Sequence, residues 1–249
     1  MDAGTVIITG GSRGIGAACA LRAARAGHAV VASYRDDARA AAAVVSAIER
    51  EGGRALALRA DVAVETDVTR LFDAADRAFG PLAALVNNAG ITAPPLRVDE
   101  MDVARLTRMF TTNVIGSFLC AREAVRRMST RHGGRGGAIV NVSSAAARLG
   151  SPGEYVDYAA SKGAIDTFTL GLAKEVAAEG IRVNAVRPGL IHTDIHATAG
   201  QPGRVERLQS TVPMQRGGTA DEVAAAVLWL LSGEASYVTG TLLDVAGGR

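Results

Sequence analysis

Short aliphatic runs recur along the chain, separated by longer stretches in which apolar positions fall three and four apart. The runs TVIIT from Thr5, AVVAS from Ala29, RALALRA from Arg54, AALV from Ala83, AIVNV from Ala138, IRVNAV from Ile181 and TLLDV from Thr241 read as seven strands. The stretches between them, such as Val64 to Phe79 and Ala159 to Ala178, have the spacing of amphipathic helices. Alternation of strand and helix throughout predicts βαβ crossovers and a parallel sheet buried on both faces, with helices stacked above and below it. GRGG around Arg135 and QPG at Gln201 read as local loops rather than linkers. A single α/β domain over residues 1–249 is therefore expected.

Composition narrows the class of function. With 48% hydrophobic and 21% charged residues over 249 positions the chain is globular, and disorder is excluded. Lys+Arg 27 against Asp+Glu 25 leaves a formal +2, which marks neither a nucleic-acid nor a membrane-surface partner. The apolar run Ala224 to Leu231 falls far short of the roughly 18 residues of a spanning helix. The N-terminus lacks the basic segment and long apolar stretch of a signal peptide, so a cytoplasmic location is expected. Cys19 and Cys120 sit in apolar helical patterns and read as reduced core thiols, not a disulfide or metal framework.

Two segments carry candidate chemistry. The first strand runs into TGGSRGIG at 9 to 16, followed by an Ala-rich helix. In a parallel sheet this first turn is where a dinucleotide pyrophosphate can rest on a helix N-terminus, although the glycines at 10, 14 and 16 could alone be a helix entry. Tyr158 and Lys162 are four apart in an expected helix and share one face, with Ser144 fourteen residues upstream beyond a strand. A carbonyl that receives a hydride must also receive a proton, and a Tyr can supply it if its ordinary pKa of about 10 is lowered by a neighbouring cation. Lys162 and Lys174 are the only lysines in an arginine-biased chain, which fits a specific role for Lys162.

Taken with DV at 61 to 62, NNAG at 87 to 90, Asn113 in TNVIG, NVSS at 141 to 144 and RPG at 187 to 189, these motifs resemble the short-chain dehydrogenase/reductase family over the whole chain. The resemblance implies a Rossmann-type doubly wound sheet in strand order 3-2-1-4-5-6-7 and a catalytic tetrad of Asn113, Ser144, Tyr158 and Lys162. Ser143 is the rival serine, and Tyr155 is set aside because the residue four later is Ala159. Tyr158 would be the general acid or base, Ser144 would bond the substrate oxygen, Lys162 would lower the Tyr158 pKa and bond the nicotinamide ribose, and Asn113 would hold a water leading from Lys162 to solvent. Cofactor contacts are expected from Gly10, Ser12, Arg13, Gly14, Ile15, Gly16, Asp61, Val62, Asn88, Ala89, Gly90, Pro188, Gly189, Ile191 and Thr193, besides Tyr158 and Lys162. Within these, Asp61 would meet the adenine amino group and Thr193 the carboxamide, and the segment up to Val212 would form a substrate lid.

An NAD site places a carboxylate after the second strand, whereas a 2′-phosphate attracts arginine. That strand ends at Ser33, followed by Tyr34 and Arg35, with Arg13 in the glycine turn. NADP(H) is therefore expected over NAD(H), with Asp36 and Asp37 assigned to a helix N-terminus. His192 and His196 lack a third metal ligand and read as loop residues. Arg122, Arg126, Arg127, Arg131 and Arg135 read as one solvated helix face. The substrate is expected to be a small carbonyl or alcohol, met by loops in which Arg148 and Glu154 are the candidate charged groups. Sugar or polyol oxidation and a non-catalytic dinucleotide sensor are the alternatives. The helical stretches Asp99 to Met128 and Asp157 to Ala178 are Ala-rich, and the resemblance implies that they build one dimer contact and the last strand with Gly247 and Gly248 another, so a homotetramer is expected.

Overall fold

The computed structural model describes residues 4–249, apart from the side chains of Ile195 and His196. Its strands are β1 (Thr5–Ile8), β2 (Ala29–Tyr34), β3 (Arg54–Arg59), β4 (Leu82–Asn87), β5 (Gly137–Val142), β6 (Ile181–Pro188), β7 (Ile191–His192), β8 (Gly218–Thr219) and β9 (Leu242–Val245). The two short strands β7 and β8 pair only with each other. The other seven form one sheet in the order β3-β2-β1-β4-β5-β6-β9, with every pair parallel. The parallel sheet is the one expected from the strand–helix alternation, and its doubly wound Rossmann-type order is the one the family resemblance implies.

The helices are α1 (Gly14–Arg25), α2 (Ala38–Arg50), α3 (Glu65–Phe79), α4 (Val103–Phe110), α5 (Gly116–Met128), α6 (Ala146–Leu149), α7 (Val156–Val176), α8 (Ile195–Thr198), α9 (Arg204–Leu208) and α10 (Ala220–Leu231). Alternate strand side chains divide between two cores. Val6 and Ile8 of β1 and Val30 of β2 meet α1, α2 and α10, while Ile7 and Val31 meet α3, α5 and α7. With both faces covered, the central strands become continuous apolar runs. Cys19 and Cys120 lie in opposite cores, and burial pushes each thiol up to about 12, out of reach of thiolate chemistry at neutral pH. Among the described residues no helix is long and apolar enough to cross a membrane.

Two expectations need correction. The helical stretch from Asp99 to Met128 is broken into α4, a π-helical turn at Thr111–Ile115 and α5. The wide turn is held from outside. Asn113 exchanges two hydrogen bonds with the Ile91 backbone, at 2.8 and 2.9 Å, and the Ser117 hydroxyl donates to the Asn113 carbonyl at 3.0 Å. The basic stretch from Arg122 is not simply a solvated face either. Glu123, 5% exposed, accepts from Arg126 and Arg127, and Arg127 reaches Asp73 and Asp76 of α3 at 2.6 Å each. The pairs with Asp73 and Asp76 join α5 to α3, and these two acidic partners lie too far along the chain for helical spacing to reveal.

Candidate active site

The chain leaves β1 toward β2 on one side and later returns to β4 on the other, so a crevice opens outside the carboxyl ends of these strands. A cleft of about 440 Å³ occupies it, reached by residues that follow β1 to β6. Gly10, Ser12, Arg13, Gly14, Ile15, Ser33, Arg35, Asp61, Val62, Asn88, Ala89, Gly90, Pro188, Gly189, Ile191 and Thr193 all line it, as do Ser144, Tyr158 and Lys162. Gly16 and Asn113 stand behind this lining.

The turn after β1 is shaped for an anionic ligand. Gly10 and Gly14 adopt left-handed φ values of 63° and 52°. Arg13, the residue before α1, makes no side-chain cap, so the first N–H groups of the helix stay free of a capping side chain. Thr9 and Asn88 lock the turn in place. The Thr9 hydroxyl accepts from the Asn88 and Ala89 N–H groups at 3.0 Å each, and the Asn88 amide donates to the Thr9 and Gly10 carbonyls at 2.9 and 3.0 Å. The Asn88 amide thus holds the glycine turn, and Thr9, missed in the sequence, is its partner. Thr193 closes over the turn, where a Cβ added to Gly14 would lie 3.3 Å from its methyl group.

Beyond β2 the lining is neutral at Ser33, which is buried and accepts from the Gly10 N–H at 3.3 Å. Arg35 pairs with Asp36 at 2.7 Å in the open, whereas Asp37 caps α2 by accepting from the Ala40 N–H at 2.8 Å. Asp61 lines the cleft while its carboxylate accepts from the Ala63 N–H at 2.9 Å.

Ser144 follows β5, Tyr158 lies in the first turn of α7, and Lys162 follows one turn later. The Ser144 hydroxyl lies near enough to the Tyr158 hydroxyl to favour its phenolate form. Burial raises the Tyr158 pKa above its ordinary value and the nearby Ser144 hydroxyl opposes the rise. Lys162 donates to the Val142 carbonyl at 2.7 Å, and its ammonium lies 5.7 Å from the centre of the Tyr158 ring. Burial brings Lys162 down to about 8, opposed by the Asp166 carboxylate. In the protein by itself, burial therefore outweighs any lowering of Tyr158 by Lys162. Ser143, the rival, donates to the Lys162 carbonyl at 3.2 Å and braces β5 against α7. The Asn113 amide is committed to Ile91 and to the Ser161 hydroxyl at 3.1 Å.

Histidine spacing does not survive the fold. His192 stands in β7 and faces Glu206 at 3.7 Å, and the His196 side chain lies outside the described residues. Among the described residues no group of three metal-ligating side chains occurs. Arg148 pairs with Asp244 at 3.1 Å, and Glu154 with Arg204 at 2.5 Å. Tyr155, set aside on spacing, is buried and lines the cleft.

The lowered Lys162 pKa has a measurable consequence. Between about pH 8 and 10.5 the unfolded chain keeps the Lys162 proton and the folded chain does not, so this group's contribution to stability rises with pH there. Below about pH 8 both states hold the proton and the slope vanishes. Urea unfolding of the parent should accordingly gain on Lys162→Met across that window; parallel curves would mean that Lys162 is not depressed.

Comparison with known proteins agrees with this architecture. The family model described as Enoyl-(Acyl carrier protein) reductase matches residues 10–249. The uncharacterized oxidoreductase YgfF of Escherichia coli is 58% identical over 98% of both chains. A 3beta-hydroxysteroid dehydrogenase of Eggerthella lenta is 42% identical over 98% of this chain and 92% of its own. A short-chain dehydrogenase of Burkholderia cenocepacia, solved with NADP, superposes with a TM-score of 0.90 at 36% identity, covering 98% of this chain and 97% of its own. The chain belongs to the short-chain dehydrogenase/reductase family of oxidoreductases.

Proposed function

We propose that the chain is an NADP(H)-dependent oxidoreductase interconverting a ketone and a secondary alcohol, with Asn113, Ser144, Tyr158 and Lys162 as its working residues. The observation that carries this reading is the meeting of Ser144, Tyr158 and Lys162 on one stretch of the cleft, with the Lys162 ammonium beside the Tyr158 ring. A substrate oxygen at that point would accept from both hydroxyls. Tyr158 would give it a proton in reduction and, as phenolate, remove one in oxidation. Ser144 would stabilise negative charge growing on the oxygen. Lys162 would favour the phenolate through its charge. With the Asn113 amide committed, a water leading from Lys162 would rest on the backbone of the π turn.

The glycine turn fits a dinucleotide, since two left-handed glycines and the uncapped start of α1 offer N–H groups to a pyrophosphate. The nicotinamide, when bound, supplies or accepts the hydride. Neutral Ser33 flanked by Arg13 and Arg35 supports a 2′-phosphate, as does the NADP held by the Burkholderia neighbour. The exposed Arg35–Asp36 pair is worth at most about 1 kcal/mol and would yield to a phosphate. NADPH should bind at least about tenfold more tightly than NADH, and Arg13→Ala with Arg35→Ala should erase most of the difference, each charge-assisted bond being worth about 1.5–3 kcal/mol. Fluorescence titration decides this, and equal dissociation constants in the parent would misplace the phosphate pocket.

The reaction itself is tested by absorbance of the reduced nicotinamide across ketones, acyl thioesters and sugars. Cofactor binding without turnover of any carbonyl or alcohol would defeat the reading. A homotetramer is part of the proposal. Ile115, Phe118 and Leu170 expose one apolar face, where Phe118 stacks on Phe168 at 3.8 Å, and Met214, Trp229 and Tyr237 are exposed elsewhere. Two distinct isologous contacts on one subunit would close into a D₂ tetramer. Light scattering that returned the 25.5 kDa of one chain would rule it out.

A further inference from the structure

A contact between residues fifty apart closes one end of the cleft. Arg204, the first residue of α9, donates to both oxygens of Glu154, Nη1 to Oε1 at 3.1 Å and Nη2 to Oε2 at 2.5 Å. Its guanidinium carbon lies 5.0 Å from the centre of the Tyr155 ring, and Nη1 also reaches the Tyr155 hydroxyl at 3.3 Å and Gln201 at 2.6 Å. The Arg204 side chain is only 12% exposed. Arg204 and Tyr155 line the cleft, whereas Glu154 does not. Of this ion pair, the guanidinium is the member that faces the cleft. Ala145, Leu149 and Ala199 contribute apolar surface to the wall of the same cleft, whose lining also includes Ser151, Asp194 and Arg249.

We propose that Glu154, acting through Arg204, neutralises this wall and so selects an uncharged, mainly apolar ketone or secondary alcohol against one whose far end carries a carboxylate. The inference rests on the oxidoreductase reading above and names its substrate class. A guanidinium held by a carboxylate in two parallel bonds has its strongest anion-binding geometry already used. A substrate carboxylate must either displace Glu154 or lie beside it, and the like charge repels it. A neutral chain meets the Tyr155 ring and Leu149 without that obstacle. Arg204 holds the Glu154 carboxyl below the ordinary range, aided by Arg207 and Arg249, so the wall stays compensated at neutral pH. Arg249 also lines the cleft, and because it is common to all the proteins compared below, its own pull on an anion cancels in the change of the acid-to-ester ratio between them.

The experiment uses methyl ketones of increasing chain length that end in a carboxylate, each paired with its methyl ester. The parent should favour the ester. In Glu154→Gln, kcat/KM for the acid relative to the ester should rise about tenfold, through KM and with kcat for the ester within about twofold. The double variant Glu154→Gln with Arg204→Gln should return the ratio to the parental value, which a merely loosened lid would not do. Unchanged NADPH affinity and melting temperature confirm that the variants are folded. Calorimetric titration of acid and ester into the NADP⁺-loaded proteins reads the same ranking without turnover. Absence of catalysis therefore counts against the assigned reaction, while the titration still decides the role of Glu154. A parent that favours the acid, or a Glu154→Gln variant whose acid-to-ester ratio matches the parent, overturns the inference.

Discussion

Tyr158→Phe should lower turnover by about 10² or more while NADPH binds within about threefold of the parent. The substitution removes one oxygen and keeps the ring, so the packing of Tyr158 against Lys162 persists and the glycine turn is untouched. What disappears is the proton donor. Burial raises the Tyr158 pKa, which leaves the phenol protonated at neutral pH and ready to donate in reduction. In the variant, Ser144 still offers a hydrogen bond to the substrate oxygen, but its own pKa is too high for it to release the proton outright, so water must take over the step. The loss should therefore appear in kcat and only weakly in KM. Single-turnover rates for a pre-bound ketone would separate this from slow product release. A folded variant with near-parental kcat would remove Tyr158 from the role of acid.

The sheet could be read from the sequence because each central strand is buried on both faces, which makes β1, β4 and β5 mainly apolar runs, with Asn141 the one polar break inside β5. The Tyr158–Lys162 pair was legible for a local reason, one helical turn. Features that depend on distant partners were not. The π turn around Asn113 is fixed by Ile91, the charge network of α5 by Asp73 and Asp76, and the cleft wall by Arg204 meeting Glu154 and Tyr155. Charge at Lys162 also depends on the fold. Spacing suggests a cation that lowers its neighbour's pKa, but only the fold shows that burial acts on both groups and pulls Lys162 itself to about 8. The fourteen-residue step from Ser144 to Tyr158 is spanned by α6 and by left-handed residues at Gly150, Ser151 and Gly153, a loop whose path spacing does not specify.

Gly16→Val should weaken NADPH binding by about 100-fold or more in a protein that still folds. Gly16 needs no unusual backbone angle, because in this turn only Gly10 and Gly14 have positive φ. Its requirement is space. A Cβ at Gly16 would lie 2.2 Å from the Gly10 carbonyl oxygen and 2.6 Å from the Asn88 amide nitrogen, both far inside contact distance. Neither can move independently, since Asn88 bonds the Thr9 and Gly10 carbonyls and Thr9 bonds the backbone of Asn88 and Ala89. The branched side chain must therefore push the whole turn away from the start of α1. Losing two charge-assisted N–H bonds to a pyrophosphate would remove about 3–6 kcal/mol, or two to four decades of affinity. Overpacking should lower stability by about 1–3 kcal/mol as well. Gly14→Ala is the internal comparison: its left-handed φ of 52° costs about 1–2 kcal/mol, and the new methyl meets only the Thr193 side chain, so affinity should fall about tenfold or less. Fluorescence titration gives both affinities and far-ultraviolet circular dichroism monitors folding. If folded Gly16→Val binds NADPH as tightly as Gly14→Ala, the turn yields more easily than its clamp allows, and the phosphate cradle lies elsewhere in the cleft.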